Sequence, residues 1–159
     1  MSQYFQPEEL RDAWPLLDPQ MRIEGFLALD RAESISFFRE RSSLDRAQIL
    51  RDCPAAESGL WAHLLAPDDL ADTLRQLAPD QREAVLQLLD ATTRREAHAL
   101  LAYAEDAAGG LMNPRFVRAR PEMTADEAIR YVRRQAEGHT VETIYYVYVC
   151  GYGNKLLGV

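Results

Sequence analysis

Long apolar runs are missing from this chain. No stretch approaches the ~18 to 20 consecutive apolar residues that a membrane-crossing helix requires, and the N-terminus, MSQYFQPEEL, has neither the cationic flank nor the apolar centre of a secretory signal. Cysteine is scarce. Cys53 and Cys150 stand far apart and match no CxxC spacing, which reads as two reduced thiols packed as small hydrophobes rather than a zinc site or a disulfide framework. Positive charge is in deficit. The formal net charge is −7, which excludes nucleic acid as a main partner, because phosphate binding needs a cationic face. Catalytic signatures are absent too. His63, His98 and His139 fit no HExxH spacing, Ser58-Gly59 lacks the GxSxG frame, and Gly109-Gly110 lacks the Lys and Ser/Thr of a phosphate loop. An enzyme is therefore not expected.

The 159 residues suit one mid-sized domain, or one domain and part of another. The charge divides them unevenly. Residues 1–102 carry 18 acidic and 11 basic side chains, and residues 103–159 carry 7 of each, so the whole acidic excess lies in the first two thirds.

Those first two thirds repeat every twelve residues. Blocks beginning at Gln6, Asp18, Asp30, Ser42, Pro54, Ala66, Ala78 and Asp90 share an apolar ninth place: Trp14, Phe26, Phe38, Leu50, Ala62, Leu74 and Leu86, with His98 as the exception. The twelfth place reads Leu17, Leu29, Arg41, Cys53, Leu65, Leu77, Leu89 and Leu101, and the second place is Pro7, Pro19, Pro67 and Pro79 in four blocks. Proline fits the first helical turn, where its missing N–H costs no hydrogen bond, and acids beside it favour the helix N-terminus. Apolar residues three apart share one helix face. Each block thus predicts a helix of about nine residues and a tight turn. Such helices are marginal alone but bury a continuous core when stacked. The expectation is a mostly α chain, a right- or left-handed superhelical stack of about eight short helices over residues 1–102. The block ending in Arg41 fits worst and is expected to be irregular. His98 is expected to be a partly buried capping residue or a surface residue.

From Tyr103 the pattern changes. Gly109-Gly110 signals a turn or close backbone approach, and Asn113-Pro114 an extended step. Phe116-Val117 predicts a short strand. Thr124 with Glu127 forms a capping-box pattern ahead of a helix over about 125–137, with Ala128, Ile129 and Val132 on its packed face and Arg130, Arg133 and Arg134 in water. Ile144 to Cys150 is the clearest strand in the chain. Gly151 to Lys155 reads as a hairpin turn, and a return strand follows over about 155–159. A hairpin with one helix makes a poor core alone. Residues 103–159 are therefore expected to be a junction and a truncated α+β module whose apolar edge, including Tyr145, Val147, Val149 and Leu157, invites self-association of two copies.

The segment Glu105-Asp106-Ala107-Ala108-Gly109-Gly110-Leu111-Met112-Asn113-Pro114 resembles the junction of MgtE magnesium transporters, where a helical N domain meets the first CBS module. Residues 124–128 (TADEA), 133–136, 142–149 and 155–159 (KLLGV) look like the first helix and strands of that module. The resemblance covers nearly the whole chain. It implies the cytosolic regulatory part of a homodimeric Mg²⁺ channel in the cell membrane. Mg²⁺ bound between acidic N-domain and CBS surfaces would hold the pore closed, and repulsion between the freed carboxylates would let it open. It further implies weak Mg²⁺ ligation by Asp68, Asp69 and Asp72, by Glu105 and Asp106, and by the carbonyl of Gly110. The partners it implies are Mg²⁺ and the remaining CBS and transmembrane domains. A nucleotide site is implied only where both CBS modules are present. Read without the family, Asp68 and Asp69 also serve as helix N-terminal acids, and the same repeat would serve an adaptor that binds a partner protein.

Overall fold

A computed structural model of the chain describes residues 7–104, 107, 115–137 and 146–159, and only the backbone of Ala136 and Glu137. Two compact units meet between Met112 and Asn113, and each is described by itself.

The first unit is helical throughout its described residues. Its helices are α1 (Pro7–Ala13), α2 (Pro19–Leu27), α3 (Arg31–Glu40), α4 (Ser43–Asp52), α5 (Ala55–His63), α6 (Pro67–Arg75), α7 (Pro79–Leu88) and α8 (Ala91–Leu101), with one 3-10 turn at Trp14–Leu16. Their starts follow from the block sequence. Asp18, Asp30, Ser42 and Asp90 each accept a backbone N–H of the first turn, and Asp30 with Glu33 completes a capping box. Where proline opens the helix after Ala66 and Ala78, no side chain caps it; the proline has already removed one orphan donor.

The ninth place fills the core. Trp14, Phe26, Phe38, Leu50, Ala62, Leu74 and Leu86 are all buried, and His98 is exposed. Helices two apart in the chain pack together, α2 on α4, α4 on α6, α6 on α8, α1 on α3 and α5 on α7, and α4 also packs on the adjacent α5. The stack is thus two rows of alternate helices whose apolar faces meet. The core includes an aromatic cluster, with Phe26 between Trp61 (centroids 4.9 Å apart) and Phe37 (6.0 Å); such tilted and edge-on pairs add to the burial energy. The block ending in Arg41 is not irregular. α3 runs 10 residues, and Arg41 lays its guanidinium 4.5 Å over the Phe37 ring. The cation covers the apolar neighbour with its face, so it does the work of the missing anchor.

The second unit holds β1 (Val117–Ala119), α9 (Ala125–Glu137), β2 (Val147–Cys150) and β3 (Leu156–Gly158). The sheet order is β1-β2-β3, with β1 parallel to β2 (Val117 opposite Val147) and β2 antiparallel to β3 (Val149 opposite Gly158). A 3-10 turn at Tyr152–Asn154 joins β2 to β3, with Gly153 and Asn154 at φ 66° and 61°, the left-handed region that these two residue types tolerate. Thr124 and Glu127 cap α9 reciprocally, and the Thr124 N–H and hydroxyl that donate to Glu127 Oε2 hold its carboxyl below the usual range. The packed face of α9 is Ala128, Tyr131, Val132 and Gln135; Ile129, expected on it, is exposed. Tyr146, Leu156, Leu157 and Val159 are exposed as well. Tyr145 and Ile144 lie outside the described residues.

Candidate metal-sensing site

Among α2 to α8 of the first unit, α6 separates apolar from charged residues most sharply. Leu70, Ala71, Thr73 and Leu74 are buried, while Asp68, Asp69, Asp72 and Arg75 occupy the other side. Pro67 sets its first turn, and Asp68 and Asp69 sit where the unpaired N–H groups of that turn favour negative charge.

The three aspartates are compensated unequally. Asp69 pairs with Arg46 of α4 at 2.9 Å. Asp72 pairs with Arg75, one turn on, at 2.6 Å. Asp68 Oδ1 is buried and has no hydrogen-bond partner among the described residues. A buried carboxylate oxygen with no donor is costly, and a cation is one chemical group that satisfies it. Mg²⁺ takes oxygen ligands, keeps several waters, and is often held by one or two carboxylates. Asp68 and Asp72, four apart on one helix, fit such an incomplete shell. The described residues do not close it: no group of three or more His, Cys, Asp or Glu among them is placed to hold a metal ion. Glu105, Asp106 and Gly110 lie outside the described residues.

Arg46, which compensates Asp69, belongs to a device that the block pattern alone does not reveal. The fifth place of four blocks is Arg22, Arg46, Arg82 and Arg94. Each donates its Nε to the ninth-place carbonyl of the preceding block: Arg22 to Trp14 (2.8 Å), Arg46 to Phe38 (3.2 Å), Arg82 to Leu74 (2.8 Å) and Arg94 to Leu86 (2.9 Å). Their terminal nitrogens reach further carbonyls of the same helix ends, such as Pro15, Arg39, Leu77 and Leu89. Ser58 makes the same bond to Leu50 at 2.9 Å. A guanidinium there satisfies orphan carbonyls and meets the negative end of the helix dipole. The signal was the recurrence of arginine at a fixed place in the block.

Other titratable groups are structural. Asp90 caps α8 through Thr93 and Thr92, and those bonds, with His63 nearby, lower its pKa to about 2. Burial raises the Cys53 thiol to about 11, an inert setting. No helix among the described residues is long and apolar enough to cross a membrane.

Residues 5–106 match the model of the MgtE intracellular N domain. The chain is 36% identical over 156 residues to the magnesium transporter MgtE of Thermus thermophilus, a match covering 96% of this chain and 34% of that protein. The chain therefore spans about a third of that relative's length. A crystal structure of the cytosolic domain of the Mg²⁺ channel MgtE in complex with ATP superposes with a TM-score of 0.78 at 35% identity, over 96% of this chain and 62% of that one. The soluble part of a magnesium transporter superposes with a TM-score of 0.62 at 24% identity, over 96% of this chain and 71% of that one, and shares the fold.

Proposed function

The chain belongs to the MgtE family through its intracellular N domain, and on that premise we propose that it is the Mg²⁺-sensing regulatory region of a magnesium channel or transporter. Mg²⁺ is the ligand, and the carboxylates of α6 receive it. Asp68 and Asp72 supply the fixed oxygens, with Asp69, Glu105, Asp106 and the Gly110 carbonyl as further donors that the family resemblance implies. The second unit, residues 113–159, is the opening part of a CBS module. An ion held between the acidic helix and CBS surfaces joins the two at high Mg²⁺ and favours a closed pore in the parent protein. When Mg²⁺ falls, the carboxylates repel each other and the surfaces part. The exposed Tyr146, Leu156, Leu157 and Val159 are where further CBS elements or a second copy would pack. The parent acts at the cell membrane, with this region on the cytosolic side.

The observation that carries this reading is the unpartnered, buried Asp68 Oδ1 on the helix that also presents Asp72. With few fixed ligands and an ion that sheds water reluctantly, affinity is weak. Amide shifts recorded while Mg²⁺ is titrated into the 159-residue chain test the assignment. The 68–72 amides should move together, and Asp68→Asn should abolish the movement. A response confined to other acidic segments, with 68–72 silent at tens of millimolar, would sink it.

A further inference from the structure

We propose that Arg75 sets the affinity of the α6 acidic site, acting as a built-in counter-ion against which any bound cation must compete. The inference rests on reading the α6 carboxylates as the Mg²⁺ site. Arg75 engages Asp72 Oδ1 at 2.6 Å. It cannot simply swing away when an ion arrives. Its second terminal nitrogen donates to the Leu100 carbonyl at 2.9 Å and reaches the Tyr103 carbonyl at 3.4 Å, at the C-terminal end of α8. The Arg75 side chain is 13% exposed, against 38% for Asp72. The Leu100 carbonyl lies at the negative end of the α8 dipole and the Tyr103 carbonyl just beyond it, so the guanidinium is held from behind whether or not Asp72 is occupied by metal.

A cation reaching Asp72 therefore meets a fixed positive charge beside it. Arg46 does the same for Asp69, with Nε and a terminal nitrogen tied to the carbonyls of Phe38 and Arg39. Asp68, which has no such partner at its Oδ1, is left as the first ligand, and Asp72 as the one whose availability is tuned. The penalty depends on the charge of the ion. At ~6 Å and a water-like dielectric, a guanidinium lowers divalent affinity about tenfold, trivalent affinity about thirtyfold and monovalent affinity about threefold. A sensor that must release Mg²⁺ when the ion falls gains from such a brake, because it raises the concentration at which the site fills.

The full 159-residue chain is titrated at low salt with Mg²⁺ and, separately, with hexaamminecobalt(III), a trivalent ion that binds without exchanging its ligands. Amide shifts over 68–72 report occupancy, and circular dichroism checks that each variant is folded. Arg75→Gln should bind Mg²⁺ about tenfold more tightly than the wild type, and the cobalt complex about thirtyfold. Arg75→Lys retains the charge while losing the forked carbonyl bonds, and should stay within about threefold of the wild type. Equal affinities of wild type and Arg75→Gln for both ions would overturn the proposal. So would an Arg75→Lys variant that binds as tightly as Arg75→Gln, since the effect would then come from the lost carbonyl bonds and not from charge. If 68–72 answer neither ion in any variant, the Mg²⁺ site itself is refuted, a result distinct from a site that binds but ignores residue 75.

Discussion

Arg82→Met removes a guanidinium while keeping most of the aliphatic stem. In the structure that guanidinium holds the end of α6 through the carbonyls of Leu74 (2.8 Å), Arg75 (3.3 Å) and Leu77 (3.2 Å). Hydrogen bonds from a charged donor contribute about 1.5–3 kcal/mol each when fully buried. Arg82 is only half-buried, water replaces part of the loss, and three bonds from one group are not additive. A total of about 2 kcal/mol is the reasoned expectation, which for a unit of this size lowers Tm by roughly 10 °C. Urea unfolding followed by helical circular dichroism measures it, with a shifted midpoint at constant slope. Arg39→Met is the comparison. Arg39 is exposed, in the last turn of α3, and a surface change of that kind costs within about 0.5 kcal/mol. Equal midpoints for the two variants would refute the view that fifth-place arginines hold the stack by capping the preceding helix.

Asp90→Ala removes the α8 cap and should cost about 1 kcal/mol at neutral pH. The Asp90 carboxylate is held at about 2, below the ordinary 3.8, so its contribution is complete above about pH 4 and fades as pH falls through about 2. The difference between wild type and variant should shrink over that window in acid titrations of stability; a difference that grows there would contradict the cap. Cys53 is 7% exposed with its thiol raised to about 11, so under native conditions at pH 8 a thiol reagent should leave it unmodified until the chain is unfolded in urea. Rapid labelling of Cys53 in the folded chain would show that the helix turn at the end of α4 opens freely.

The repeat could be read from sequence because each block buries the same places. A ninth-place residue such as Phe26 or Leu74 meets the core whatever its neighbours are, so local period and tertiary packing agree. Arg41 misled because a polar letter at an apolar place was read as a defect, whereas its guanidinium stacks on Phe37. Ile129 misled for the converse reason. The helical period alone does not say how wide the face of α9 is that the short sheet of its own unit covers. The fifth-place arginines were visible as letters, but their role was not, since Leu10, Ser34 and Leu70 occupy the same place and only Ser58 reproduces the bond. The pairing of the α6 acids was hidden more deeply. Arg46 reaches Asp69 because α4 packs on α6, and which helices become neighbours is a property of the stack, not of any one block.

Paramagnetic relaxation by Mn²⁺, which takes similar oxygen ligands to Mg²⁺, tests the central claim most directly, because it locates the ion on the chain. At substoichiometric Mn²⁺ the amides of residues 68–72 should broaden first, the broadening should reverse with excess Mg²⁺, and Asp68→Asn should remove it. Broadening that starts elsewhere on the acidic stack, at Glu8 and Glu9 for example, or that persists against excess Mg²⁺, would contradict the assignment of α6 as the sensing helix.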